Sequence, residues 1–302
     1  MFRSSSTRAM VCFIAVCRLS SSFRSTGSGG IVAQAGPEGN RTMASAPLIE
    51  SARRLIRRVR SGALATFLPP QFGHSSTPSP QLHAANSVPS TPFASLVTVA
   101  PAADLSPLFW LSALARHSRN LDHDPRCSVL LTGPAAAPNP QTAPRVTLSG
   151  AAARIGDPAL LRRWHALNPY AGWYAGLQDF SLWRLRIESV HAVSGFAAAA
   201  WIDPARLAPD PAVACAFAAA EATILADCNA HDAALLDPIA AAAGESGEGW
   251  QLIAADPDGF DLGRLEGVLR IDFPAPLQSP AEFGAALRRL AGRSRREPQA
   301  GD

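Results

Sequence analysis

The chain contains no lysine. Arginine therefore carries all of its permanent side-chain positive charge, and several chemistries drop out: a Schiff-base lysine, a P-loop lysine and a Ser–Lys dyad. Any phosphate held here must be held by Arg, His, hydroxyls or backbone N–H groups. Cysteine is sparse as well, five in 302 residues with no CxxC spacing. That pattern speaks against a zinc site and against a disulfide scaffold. Cys127, Cys215 and Cys228 read instead as small buried thiols in a reducing compartment. The net charge is only +3, and much of the positive charge falls near the two ends, so nucleic acid is not an expected partner. No Ser-His-Asp arrangement can be read from residue order.

What is present is enough for a sizeable core. At 47% hydrophobic and 17% charged, 302 residues can build one large or two medium domains. Residues 1–42 carry Arg3 and Arg8 before a short apolar run and a Ser-rich segment. The run is too short to span a bilayer, and the expectation for residues 1–47 is a disordered leader or a targeting extension. The first reading goes with a cytoplasmic protein that has no membrane partner, the second with an organellar or exported one. Residues 48–59 predict an amphipathic helix, with Arg53, Arg54, Arg57, Arg58 and Arg60 forming a solvated basic face. Strands are predicted over 62–68, 93–100, 107–111, 127–131, 144–155 and 180–193, and a helix over 158–167. The Pro- and Ser-rich residues 69–92 read as an insertion at a hairpin tip, its His74 and His83 as loop residues.

Beyond residue 200 the character changes. Residues 204–211, with Pro204, Pro209 and Pro211, read as a linker. Then follow an Ala-rich helical region over 212–243, broken near Asn229 and Pro238, strands over 250–255 and 268–273 around a 256–261 turn, and a closing helix over 280–293. The expected fold class is α+β: a mostly antiparallel β-barrel over 48–202 with peripheral helices, a smaller α+β domain over 212–294, and a disordered tail over 295–302.

The stretch the rest is organised around is 91–132, TPFASLVTVAPAADLSPLFWLSALARHSRNLDHDPRCSVLLT. Both faces of its first strand are mostly apolar, Phe93, Val97 and Val99 on one side and Ala94, Leu96 and Ala100 on the other, as for a strand buried on both sides. After the second strand comes a helix start rich in Ser, Arg, His and Asn, which suits a phosphate.

This stretch resembles the FMN-binding split barrels, the pyridoxamine 5'-phosphate oxidase superfamily, and within it the HugZ-type haem-utilisation branch. That branch repeats Leu-Ser, x-x-Ala, x-His-Thr/Ser-Arg-Asn-Leu, x-x-Asp-Pro-Arg after a strand. Here the pattern is met by Leu111, Ser112, Ala115, His117, Ser118, Arg119, Asn120, Leu121, Asp124, Pro125 and Arg126. Further likeness lies in Tyr174-Ala175-Gly176, Asp179-Phe180, Gly195-Phe196, Ala200-Trp201, the segment from Asp256 to Asp261 and the segment from Arg270 to Phe273. The resemblance implies a homodimer binding FMN between subunits, flavin redox chemistry, and haem as a further ligand or substrate. It implies a phosphate site at Arg116, His117, Ser118, Arg119 and Asn120, with Ser112 beside it. It also implies that Ser95, Val97 and Thr98 meet the flavin ring. In pyridoxamine oxidases an Arg–Lys pair stands where Arg116 and His117 stand here, so the charge is weaker. An enzyme of haem-oxygenase-like or pyridoxamine-oxidase-like type is one reading, with no catalytic acid or base named. A binding or regulatory barrel that has lost flavin is the other. The branch's His-rich segment is reduced here to His231, read as a structural helix residue, while His165 and His191 read as packing or surface residues.

Overall fold

The segment SGALATF is made mostly of small residues with Leu64 and Phe67 as its large apolar ones, and in the computed structural model it is strand β1 (Ser61–Phe67), alternately exposed and buried. The structure describes residues 44–69, 91–174, 176–195 and 198–294. The expectations for 1–43, for 70–90 with His74 and His83, for Ala175 and Phe196 and for the tail from 295 lie outside the described residues.

Strand β2 (Pro92–Thr98) pairs with β1, and after one residue the same segment continues as β3 (Ala100–Pro101), which pairs with β4 (Pro107–Ser112). The other strands are β5 (Arg126–Thr132), β6 (Arg145–Ile155), β7 (Phe180–Val193) and β8 (Ala199–Ile202). Their order is β2-β1-β5-β6-β7-β4-β3, with β8 on β7, and every pairing is antiparallel. Because β2 and β3 are one continuous segment at the two ends of this order, the sheet curls back on itself and leaves no free edge there. Gly150 sits at a bulge between β6 and β7, where an added Cβ would lie 1.9 Å from the Arg186 carbonyl oxygen.

The barrel interior holds Leu64, Val97, Phe109, Val129, Leu131, Leu148, Leu185 and Val190. Helix α1 (Ala46–Arg58) places Leu48, Ala52, Leu55 and Ile56 in the same core. Helix α2 (Arg116–His123) adds Leu121, and α3 (Pro158–Leu167) carries Trp164 and Leu167. The segment read as a linker is instead α4 (Pro204–Leu207), whose Leu207 is buried in the barrel core. The reason is local: Asp203 accepts a hydrogen bond from the Ala205 N–H, so Asp-Pro here is an N-cap followed by a first-turn proline rather than a break.

The C-terminal part packs α5 (Pro211–Asp227), α6 (Leu236–Ala242) and α7 (Phe283–Ser294) on a sheet of order β11-β10-β9. Its strands are β9 (Gln251–Asp256), β10 (Gly259–Arg264) and β11 (Gly267–Asp272). Strand β10 corrects the expected 256–261 turn, since only Pro257 and Asp258 turn and Asp261 is buried on the strand. Pro238 does not break the helix either, because it lies in the first turn of α6, where proline is tolerated. The break comes earlier, in a π turn over Cys228–Asp232, and Asn229 there exchanges two hydrogen bonds with Leu252 of β9. The 211–242 stretch is long and apolar enough by composition to cross a membrane. In this fold it is broken at that turn and contributes Phe217, Leu236 and Ile239 to a core with Phe260, Phe273 and Phe283. Cys215 is exposed on α5, not buried as expected, because Phe217 and Ala214 take the inward face.

The expected solvated basic face of α1 is the largest correction. Arg57 is 0% exposed and donates to the carbonyls of Ala102 and Ala103 and to Asp258. Arg53 reaches Asp258, Arg58 reaches Asp272 and Arg60 reaches Asp261. Buried Arg163 and Arg270 close on the same cluster: Arg163 binds Asp256 and Glu221, and Arg270 binds Asp256 and Asp261. Burial alone would push Asp256 up, but the guanidiniums of Arg270, Arg57 and Arg163 outweigh it and hold it well below the usual carboxylate range. The acidic motif from Asp256 to Asp261 is thus the internal counter-charge of α1.

Candidate functional site

The phosphate-binding expectation falls on the turn from β4 into α2. Ala115 is the N-cap of α2 and has no side-chain acceptor, and the first turn holds no acidic residue. The first N–H groups of the helix therefore have no side-chain cap, and the helix dipole adds partial positive charge there. Arg116 and His117 are half-buried at this end and Arg119 is exposed. The Ser95 hydroxyl lies 3.1 Å from His117 Nδ1, which ties β2 to the helix start. Burial pushes the His117 pKa down, so its ring is neutral at pH 7 and offers a hydrogen bond rather than a charge. Arginine remains the only source of full positive charge.

The other expected residues divide. Ser112 Oγ donates to Asp179 Oδ2 at 2.5 Å and accepts from the Leu114 N–H at 3.1 Å, so its hydroxyl organises the turn. Ser118 and Asn120 are fully buried on the inner side of α2. Asn120 donates to Thr66 Oγ1 of β1 at 2.9 Å, while Ser118 Oγ and Asn120 Oδ1 have no protein partner. Val97 is packed in the barrel core, and Thr98, one residue on, is half-buried on the opposite face. The structure brings together Ser95, Arg116 and His117, and it separates Val97 and Thr98. Sequence reasoning missed Thr66, Asp179 and Tyr170. Thr98 is hydrogen-bonded to Tyr170, whose phenol burial pushes up and that bond pulls down. Only Asp179 left a signal, in the Asp179-Phe180 likeness.

The outward face of the sheet corrects the expectation of a strand buried on both sides. On β2 only the inner side is packed, while Ala94 is exposed and Leu96 is 79% exposed. Strand register extends this into a row across six strands: Leu96, Ala63, Leu130, Thr147, His191 and Trp201. Trp201 is 56% exposed, its ring 5.0 Å from that of His191. A parallel row is small and half-polar: Ala94, Ala65, Ser128, Ser149 and Ser189. Both rows are exposed or half-buried. Of the remaining histidines, His165 packs against Trp110 and Trp164, and exposed His231 bonds within its own turn to the Asp227 carbonyl. Among the described residues no group of three or more His, Cys, Asp or Glu could hold a metal.

An antiparallel barrel closed by one bent strand segment, with a helix starting at its mouth, defines a split-barrel protein. Residues 46–207 match the model of the CREG beta-barrel family, which spans more than half of the chain, and the chain belongs to that family. It is similar to the "Non-canonical heme oxygenase HOZ, chloroplastic" of Arabidopsis thaliana, 38% identical over 111 residues. That match covers 36% of this chain, which spans only 33% of the length of that curated relative. A crystal structure of a protein of unknown function from Agrobacterium tumefaciens superposes with TM-score 0.64 at 29% identity, covering 84% of this chain and 100% of that one. A heme binding protein from Mycobacterium smegmatis is 27% identical with TM-score 0.45, over 83% of this chain and 98% of that one.

Proposed function

We propose that the chain is a homodimeric split-barrel flavoprotein that binds FMN, with haem as its substrate. The observation that carries the reading is the start of α2: no side-chain cap, no acidic residue in the first turn, and Arg116 and His117 beside it. That donor set fits a phosphate group. Arg116 would hold the phosphate by charge, the first-turn N–H groups and neutral His117 by hydrogen bonds. Ser95 fixes the His117 ring. Bound flavin would supply electron transfer, and the protein would supply position and electrostatics. The haem part rests on the matched segment of the plant protein named as a heme oxygenase.

The dimer part rests on the outward face. Leu96, Leu130 and Trp201 present apolar surface in one row, as a two-fold, self-complementary interface requires. Titrating purified protein with FMN and then with haemin tests the reading. The expected results are a shifted flavin spectrum and a Soret band of bound haem. Free-flavin and free-haemin spectra throughout would refute it. A second reading, a barrel that binds haem without flavin, is favoured by the inward-facing Ser118 and Asn120, which remove two expected phosphate ligands. A Soret band without any flavin change would select it.

A further inference from the structure

A second site lies at the other end of β4. A cavity of about 690 Å3 opens beside the turn that precedes this strand, and neither Ser112 nor the start of α2 lines it. Its volume is in the range of small-molecule pockets. Leu105, Ala152, Ile155, Ile187 and Leu207 make much of its wall, and among the described residues no aromatic ring lines it. The charged lining is Asp104, Arg184 and Arg186, a net excess of one positive charge.

The wall is built stiffly. Leu105 is fully buried with φ of 73°, a conformation that costs a β-carbon-bearing residue energy unless its surroundings impose it. Here they do. The Leu105 N–H donates to the Ala102 carbonyl, the Ala102 N–H donates to the Ser106 carbonyl, and buried Arg57 holds the carbonyls of Ala102 and Ala103. Asp104 is fixed independently by the N–H and hydroxyl of Ser106.

The arginines, by contrast, are easily recruited. Arg184 pairs with Asp104 with both side chains more than a third exposed, and Arg186 pairs with the exposed Glu188. Such exposed pairs contribute little. If Arg184 turns to a ligand, Asp104 keeps its two bonds from Ser106.

We propose that this cavity binds an aliphatic carboxylic acid, its chain against Leu105, Ile155, Ile187 and Leu207 and its carboxylate between Arg184 and Arg186. The absence of rings in the wall disfavours a flat aromatic ligand, and the excess of arginine at the mouth selects an anionic head group. The site is independent of α2 and of the proposed flavin.

Equilibrium dialysis with labelled decanoate and labelled decanol, on the full chain, tests it. Wild type should bind one decanoate per chain. An Arg184→Gln/Arg186→Gln variant should bind decanoate at least tenfold more weakly and decanol unchanged, since only the acid uses the arginines. Ala153→Phe, at an exposed position of the wall, should reduce both ligands without changing FMN binding. Absence of decanoate binding to wild type would overturn the proposal. So would equal decanoate affinity in wild type and the double glutamine variant, which would mark a non-specific apolar surface.

Discussion

Two helices of this chain look alike in sequence and behave oppositely in the fold. Helix α1 carries Arg53, Arg54, Arg57 and Arg58, with Arg60 just beyond, and α2 opens with Arg116, His117 and Arg119. On α1 the inner arginines are spent on the chain's own carboxylates. Arg57 is buried against Asp256 and Asp258, and Arg60 binds buried Asp261. On α2 there is no acidic residue in the first turn, and Arg119 is exposed. A run of arginines therefore does not announce a ligand. On α1 the fold returns a matching set of carboxylates to it. For α1 they come from residues about 200 positions away, on β9, β10 and the turn between them.

The largest effect that would break this comparison is at Arg57. Replacement by Met takes one of three guanidiniums from buried Asp256 and removes the Arg57 donors from the Ala102 and Ala103 carbonyls, at a cost of about 3–5 kcal/mol and a fall of about 10 °C in melting temperature. An unchanged calorimetric melting temperature would mean the cluster is not holding the two sheets together. Acid should act through the same residues. Asp256 has a depressed pKa, so its contribution is complete above the ordinary carboxylate value and is lost as pH falls through the folded one. Denaturant titrations from pH 7 down to about pH 3 should show a steep loss of stability below about pH 5, shallower in Asp256→Asn.

On the outward face, Leu96→Asp places a charge in the middle of the apolar row. It should halve the mass seen by light scattering while leaving the melting curve of the barrel nearly unchanged, because Leu96 is 79% exposed. The smallest effect is expected at Arg54, three residues before Arg57 on the same helix. Its pair with Glu50 has both side chains more than half exposed, so Arg54→Ala should change stability by less than about 0.5 kcal/mol. A loss as large as that of Arg57→Met would erase the distinction between the faces of α1.

Much of the architecture was legible in local patterns. The strands from β4 to β7 and helices α1 and α3 follow from alternation, amphipathic spacing and caps, and their ends fall within a residue or two of expectation. Local patterns failed where meaning depended on distant partners. The basic face of α1 looked solvated because its counter-charges are far along the chain. The strand β2 looked buried because apolar residues on both faces do not reveal whether anything covers the outer one. Pro204 looked like a linker because proline punctuates chains in two ways, and Asp203 before it selects the helical one. At the proposed site, the motif pointed to the start of α2 but could not say which of its side chains the barrel buries. Arg116 and His117 in the first turn are half-buried, while Asn120, one turn further on, is fully buried and is used by the barrel for its own Thr66.

The central claim is that the start of α2, unlike α1, directs its positive charge at a ligand. The most direct test measures FMN and riboflavin affinity, by flavin fluorescence, for wild type and the double variant Arg116→Ala/His117→Ala, with Arg54→Ala as the control. Charge-assisted hydrogen bonds contribute about 1.5–3 kcal/mol each, and 1.4 kcal/mol is about tenfold in affinity. The account predicts that the double variant loses at least tenfold for FMN and far less for riboflavin, which has no phosphate, and that Arg54→Ala loses neither. Equal losses for the two flavins, or FMN affinity untouched by the double substitution, would contradict it.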